Sequence, residues 1–185
     1  MILPIHLYGD PVLSKKSDDI PLPFKLKASD FVDEILKALV SDMFETMYNA
    51  KGAGLALPQT GINKRLIVVE QKISDFETFK GVFFNPHIIE YKGQLMKMEE
   101  GCLSVPGVYA NIVRQDEITI EYYDEDYIYH KETFRGIKSR ILQHEIDHLE
   151  GILFVNKLTP TDRLTKYMKL ENIKNRKHQY SYPTK

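Results

Sequence analysis

Gln143-His144-Glu145-Ile146-Asp147-His148-Leu149-Glu150-Gly151 is the stretch on which the rest of this 185-residue chain depends. Two histidines four residues apart on a helix lie one above the other on one face, so both imidazoles can reach a single metal ion. Glu145 follows the first histidine directly. It is placed to handle protons for a water on that ion rather than to bind the ion. A third ligand has to come from elsewhere, and Cys102, the only cysteine, is the leading candidate. Taken alone, the pattern also arises by chance, as two helical histidines satisfied by backbone groups. Asp147 can orient a ligand imidazole or stand as a solvated helical acid.

Outward from this stretch, the helix should begin at Gly136 or Ile137 and end at Gly151. Ile137, Ile141, His144 and His148 share one face, so the metal face is expected to continue the core face. Upstream, residues 117–123 and 127–134 alternate apolar and polar around Asp124-Glu125-Asp126 and predict a β-hairpin. Cys102 sits in Glu100-Gly101-Cys102-Leu103-Ser104-Val105-Pro106-Gly107, read as a glycine-bounded loop. By itself a lone cysteine is a buried small hydrophobe, a reactive thiol or a ligand. In such a loop it can be brought to a helix face without strain. One thiolate and two imidazoles leave a fourth position for water, as a hydrolytic metal requires.

The remaining segments predict a single domain over residues 1–185. Residues 1–24 carry Pro4, Pro11, Pro21 and Pro23 and read as an extended arm. Gly9-Asp10-Pro11-Val12-Leu13 reads as a turn with an apolar anchor. A helix from Ser29 or Asp30 to about Asn49 places Phe31, Ile35, Leu39, Met43 and Met47 in the core, and Gly52 suits its end. Gly52-Ala53-Gly54-Leu55-Ala56-Leu57-Pro58-Gln59-Thr60-Gly61 is a tight loop that fits neither nucleotide-loop spacing. Strands follow at 65–71 and 82–90, the latter with Asn85-Pro86 marking an edge or a bulge. Residues 94–99 alternate weakly, and 152–155 form a short strand or extended segment. A last helix, 163–175, should turn Leu164, Tyr167, Met168 and Leu170 inward, and residues 178–185 should fray. The fold expected is α+β: a central metal-binding helix surrounded by antiparallel strands, with an N-terminal and a C-terminal helix.

A net charge of -1 removes any whole-chain electrostatic case for nucleic acid or an anionic membrane. No apolar run approaches the roughly 20 residues of a membrane helix, and the first residues lack a signal-peptide pattern, so a cytoplasmic protein is expected. A single cysteine excludes an internal disulfide.

Three stretches together resemble the signature motifs of the peptide deformylase family, in its order and rough spacing: Gly52–Gln59, Glu100–Ser104 and Gln143–His148. The second and third match in full. The first departs, because the family commonly has Val where Ala53 stands and Ala where Leu57 stands; Gly52, Gly54, Leu55 and Gln59 are kept. The resemblance implies a hydrolase of protein biosynthesis that removes the formyl group from N-terminal formylmethionine of new polypeptides and releases formate. Its ligands would be Cys102, His144 and His148. Its ion would be one divalent metal, Fe2+ in the cell, with Zn2+, Ni2+ or Co2+ accepted in purified protein. Glu145 would be general base and acid, and the Gln59 side-chain amide and the Leu103 backbone N–H would stabilise the oxyanion. Gly54 would pair with the peptide. Ala53, Gly101, Ile137, Arg140 and Ile141 would line or rim the methionine pocket. Glu100 and Arg114 would pair around the cysteine or stand as unlinked surface charges. Formylmethionyl nascent peptides are the implied partners, with the ribosome exit region a candidate.

Three alternatives compete. A zincin-type metallopeptidase would use the same helix but leaves Cys102 without a role. A metal-stabilised peptide-binding module would lack chemistry altogether. A cysteine nucleophile with a histidine base would need no metal.

Overall fold

The computed structural model describes residues 1–23 and 29–185, with the Ser29 side chain left out. The end of the expected arm at Phe24 and a cap from Ser29 therefore lie outside the described residues. The elements run α1 (Ser29–Asn49), β1 (Gly54–Ala56), β2 (Leu66–Lys72), β3 (Thr78–Cys102), β4 (Val105–Tyr123), β5 (Tyr129–Arg135), α2 (Gly136–Leu149) and α3 (Pro160–Lys174). The five strands form one antiparallel sheet in sequence order. The fold is α+β.

Strand β2 shows why the sheet holds. Its first four residues are all buried, although a half-covered strand would alternate. Leu66 and Val68 join Met43, Met47 and Leu55 on the side of α1. Ile67 and Val69 join Leu142, Ile146 and Leu149 of α2 on the other. A third cluster packs Leu170 and Ile173 of α3 against Val105, Val108 and Ile112 of β4 and against Phe154 and Val155. The core face of α2 is thus Leu142–Ile146–Leu149. Ile137, Ile141 and His144 line a cavity, while Ile141 also packs against the Leu142–Ile146–Leu149 cluster and His148 is buried, so the expectation that the strip simply continues the core holds only in part.

Several other expectations change. Phe31 and Ile35 are 68% and 49% exposed, and Leu36 takes the core place beside Met43 and Met47. A strict four-residue spacing drifts about 40° per step around a helix of 3.6 residues per turn, so Phe31 ends far from the face of Met47. In α3, Leu164, Tyr167 and Met168 are exposed, and only Leu170 and Ile173 are buried. Residues 152–155 are not a strand: Phe154–Lys157 is a 3-10 helix. Helix α1 does stop before Gly52, but the left-handed residue there is Lys51, at φ 57°. Gly52 serves close packing, since a Cβ on it would stand 2.8 Å from Leu103 Cδ1.

The segment read as 82–90, 94–99 and a loop is one long hairpin. β3 and β4 pair from Phe84↔Tyr123 to Cys102↔Val105, with only Leu103 and Ser104 between them. Irregularities fall at Phe84/His87, Ile88/Glu90 and Lys92/Leu95, and a fourth at Gly101/Cys102 beside the turn. The first is a bulge at Asn85-Pro86, as proline inside a strand demands.

Residues 178–185 do not fray. Ile5 N–H donates to the Pro183 carbonyl at 2.9 Å, Lys185 N–H donates to the Ile5 carbonyl at 3.0 Å, and Ile5 bridges Thr184 in parallel. The polarity of the segment suggested fraying. Its tyrosines and backbone groups find partners far away in sequence, which polarity does not reveal.

Met47→Ala should cost about 2–5 kcal/mol in urea unfolding, whereas Ile35→Ala should stay within about 0.5 kcal/mol. Equal effects would place the core face of α1 wrongly.

Candidate metal centre

The β3–β4 hairpin ends against α2. Its tight turn carries Cys102 to the strip of α2 that presents His144 and His148. One donor atom from each of these residues lies within 4.8 Å of the other two. Cys102 Sγ is 3.3 Å from His148 Nε2. The imidazole centroids are 5.1 Å apart with planes at 79°, so the rings converge rather than stack. A thiol and two imidazoles this close fit one borderline-soft divalent ion.

Glu100 fixes this geometry. Its Oε2 lies 2.9 Å from His144 Nδ1, which leaves Nε2 of that ring for the cluster. The same carboxylate accepts from Arg114 Nε at 2.6 Å, Arg114 Nη2 at 2.9 Å and Arg140 Nη1 at 2.8 Å. Burial alone would raise its pKa, but the hydrogen bonds from Arg114 and His144 outweigh this and hold the carboxyl far below the usual range. Glu100 and Arg114 are therefore a buried pair, not surface charges. Asp147 accepts from Arg114 Nη1 at 2.5 Å, so it braces the arginine rather than an imidazole. Arg140 is 5% exposed and also donates to the carbonyls of Ile112 and Met96. Its guanidinium is committed inward and offers the cavity a braced wall rather than a free rim charge.

Glu145 lies beside the donors at the base of the cavity. Its Oε2 is buried and has no hydrogen-bond partner among the described residues. Burial, the largest influence, pushes its carboxyl up to about 7; the His144 charge opposes this and the Glu100 charge adds to it. Gly54 covers it closely, since a Cβ there would stand 2.6 Å from Glu145 Oε1. Gln59 is 2% exposed. Its Oε1 accepts from Ala56 N–H at 2.8 Å, which turns Nε2 toward Ser104 Oγ at 3.1 Å and Cys102 Sγ at 3.6 Å. That sulfur distance is a weak polar contact, so the amide keeps donor capacity facing the cluster.

These groups open into one cavity of about 570 Å³, which Ala53, Gly54, Gly101, Leu103, Ile137 and Ile141 also line. The sequence-predicted site residues other than His148 line this cavity, and His148 lies behind it within reach of Cys102. Three features escaped the sequence: Ser104 as acceptor for Gln59, the shared use of Glu100 by two arginines, and Tyr180, Ser181 and Tyr182 in the cavity wall. Only the aromatic spacing at 180 and 182 could have pointed to the last.

An α+β fold that gathers three donors able to hold one ion, with an unpartnered carboxylate beside them, suits hydrolytic chemistry. Comparison makes the class specific. Residues 2–164 match the polypeptide deformylase family model. The chain is 44% identical over 185 residues to the peptide deformylase of Chlorobaculum parvum, covering 99% of this chain and 94% of that one. It is 41% identical over 194 residues to that of Christiangramia forsetii, covering 98% and 94%. Among solved structures, a peptide deformylase from Legionella pneumophila superposes with a TM-score of 0.81 at 36% identity, over 97% of this chain and 99% of that one. One from Synechococcus elongatus in complex with actinonin gives 0.78 at 32%, over 99% and 92%. The chain belongs to the polypeptide deformylase family, enzymes that remove N-terminal formyl groups from nascent peptides.

Glu100→Gln keeps the shape but removes the charge that Arg114, Arg140 and His144 share. Its metal affinity should fall roughly 10- to 100-fold in a competitive chelator titration. Unchanged affinity would show that Glu100 does not orient His144.

Proposed function

We propose that this chain is a metal-dependent hydrolase that cleaves the formyl amide of N-terminal formylmethionine and releases formate. The observation that carries this is the convergence of Cys102, His144 and His148 beside the unpartnered Oε2 of Glu145. Cys102, His144 and His148 would hold one divalent ion, Fe2+ in the cell, replaceable by Zn2+, Ni2+ or Co2+. When bound, the ion supplies a Lewis acid that brings the pKa of a water toward roughly 7.

The rest is done by the chain's own side chains. Glu145 Oε2 takes a proton from the attacking water as its oxygen bonds to the formyl carbon. The carbonyl oxygen gains charge at that moment and needs donors already in place. Gln59 Nε2 and the Leu103 backbone N–H are assigned that work, each worth roughly 2.7–4 kcal/mol of barrier. The C–N bond then breaks and Glu145 hands its proton to the leaving amine, giving formate and a free methionine N-terminus.

Peptide binding follows from sheet position. β1 is an edge strand, bonded to β2 on one side only. Its other side, at Gly54, is assigned to the backbone of an extended peptide. Ala53, Gly101, Ile137 and Ile141 are assigned to the methionine side chain, with Arg140 bracing behind them. Nascent chains as substrate place the reaction in the cytoplasm, near the ribosome exit region. No helix among the described residues is long and apolar enough to cross a membrane.

A metallopeptidase assignment is disfavoured because Cys102 Sγ lies inside the donor cluster rather than away from it.

The anaerobically purified, metal-loaded protein should release formate from formyl-Met-Ala-Ser, and chelation should stop it. Glu145→Ala should lower turnover roughly 10²–10⁴-fold while keeping one ion per chain. Absence of formate from loaded protein defeats the proposal, and loss of the ion in Glu145→Ala would mean that Glu145 is a ligand.

A further inference from the structure

Residues 5–8 run between the active-site turns and the last residues of the chain, and their amides alternate in direction. Ile5 and Leu7 donate to the carbonyls of Pro183 and Lys185, at 2.9 and 3.3 Å. His6 and Tyr8 donate the other way, to the carbonyls of Gln59 and Ser104, each at 2.7 Å. This is the two-residue period of an extended strand. It couples residues 183–185 to the two turns that carry Gln59 and Leu103. Tyr182 closes the circuit, its hydroxyl donating to the Leu103 carbonyl at 2.6 Å. The Leu103 side chain meanwhile seats over Gly52. The family match ends at residue 164, so this segment lies outside it.

We propose that residues 180–185 hold the Cys102–Ser104 turn in its working position, with Tyr182 as a positioning residue acting through the Leu103 carbonyl. The inference rests on the assignment of Leu103 N–H as an oxyanion donor. Fixing the carbonyl of Leu103 pins the plane of the Leu103–Ser104 peptide and with it the ψ of Leu103, which narrows the swing of the residue whose N–H, on the preceding peptide, must meet the developing charge. Donors that must not reorganise during reaction need such bracing. The hairpin turn has only two residues between its strands, Leu103 and Ser104, and Tyr182 holds the carbonyl of the first of them.

The test is Tyr182→Phe in the full-length, metal-loaded enzyme, which keeps the ring and removes one hydroxyl. Loss of a single hydrogen bond of ordinary strength predicts a roughly 3- to 10-fold fall in kcat on formyl-Met-Ala-Ser. KM should stay within about twofold, metal content should be unchanged, and the melting temperature should fall by no more than about 2–4 °C, because the packing is preserved. Hydrogen exchange at residues 102–104 should quicken. Unchanged kcat, unchanged exchange, or a fall in activity that tracks loss of metal would overturn the proposal. So would a change confined to KM, which would make Tyr182 only a wall for the peptide. If the wild-type enzyme itself releases no formate, the deformylase assignment fails, while the exchange measurement still decides whether Tyr182 holds the turn.

Discussion

The carboxylate of Glu100 is the point from which the site is built. It stands at the end of β3, and it ties together two arginines and one imidazole from β4 and α2. A buried charge is costly unless it is paired and hydrogen-bonded, and removing a partner leaves an uncompensated ion. Here both of its oxygens are used. The hairpin cannot slide along α2 without breaking the bonds of Glu100 to Arg140 and His144 and the bond of Arg114 to Asp147 together. Cys102, two residues beyond Glu100, is therefore delivered to the histidines at a fixed distance. The same bond at His144 Nδ1 selects which nitrogen faces the cluster, as outer partners of metal-binding histidines generally do.

Close packing of backbone completes what this charge begins. Gly54 allows β1 to lie directly over Glu145, and Gly52 admits the Leu103 side chain. Gly101 does the same for Tyr109, whose ring atom would stand 2.6 Å from a Cβ. In each case a main-chain segment comes nearer to the site than a side chain would permit. Behind this shell, β2 is buried on both faces between α1 and α2, so the edge strand and the helix share one rigid support. The unpartnered oxygen of Glu145 then sits on a scaffold that cannot relax to satisfy it.

Much of this was legible in the chain itself. His144 and His148 declare their shared face through helical spacing, and Cys102 stands out because it is the only cysteine. Strand and helix types were also readable wherever periodicity was strong, as in β2, β5 and α2. What failed were inferences that needed partners distant in sequence. Phe31 and Ile35 match a four-residue spacing, but that spacing drifts around the helix, and Leu36 and Val32 face the core in their place. Leu164, Tyr167 and Met168 failed because only the later turns of α3 reach β4. Glu100 and Cys102 were assigned to a loop because glycine and proline flank them, yet pairing with β4 extends the strand through them. The role of Tyr182 depends on Leu103, 79 residues away. No local pattern encodes that bond.

The claim on which all of this turns is that one sulfur and two imidazoles bind the same ion. X-ray absorption spectroscopy of the zinc-loaded protein measures it directly. One sulfur at about 2.3 Å and two nitrogens at about 2.0–2.1 Å, with one further light atom, are the result expected. A shell of nitrogen and oxygen alone, with no sulfur, would contradict it.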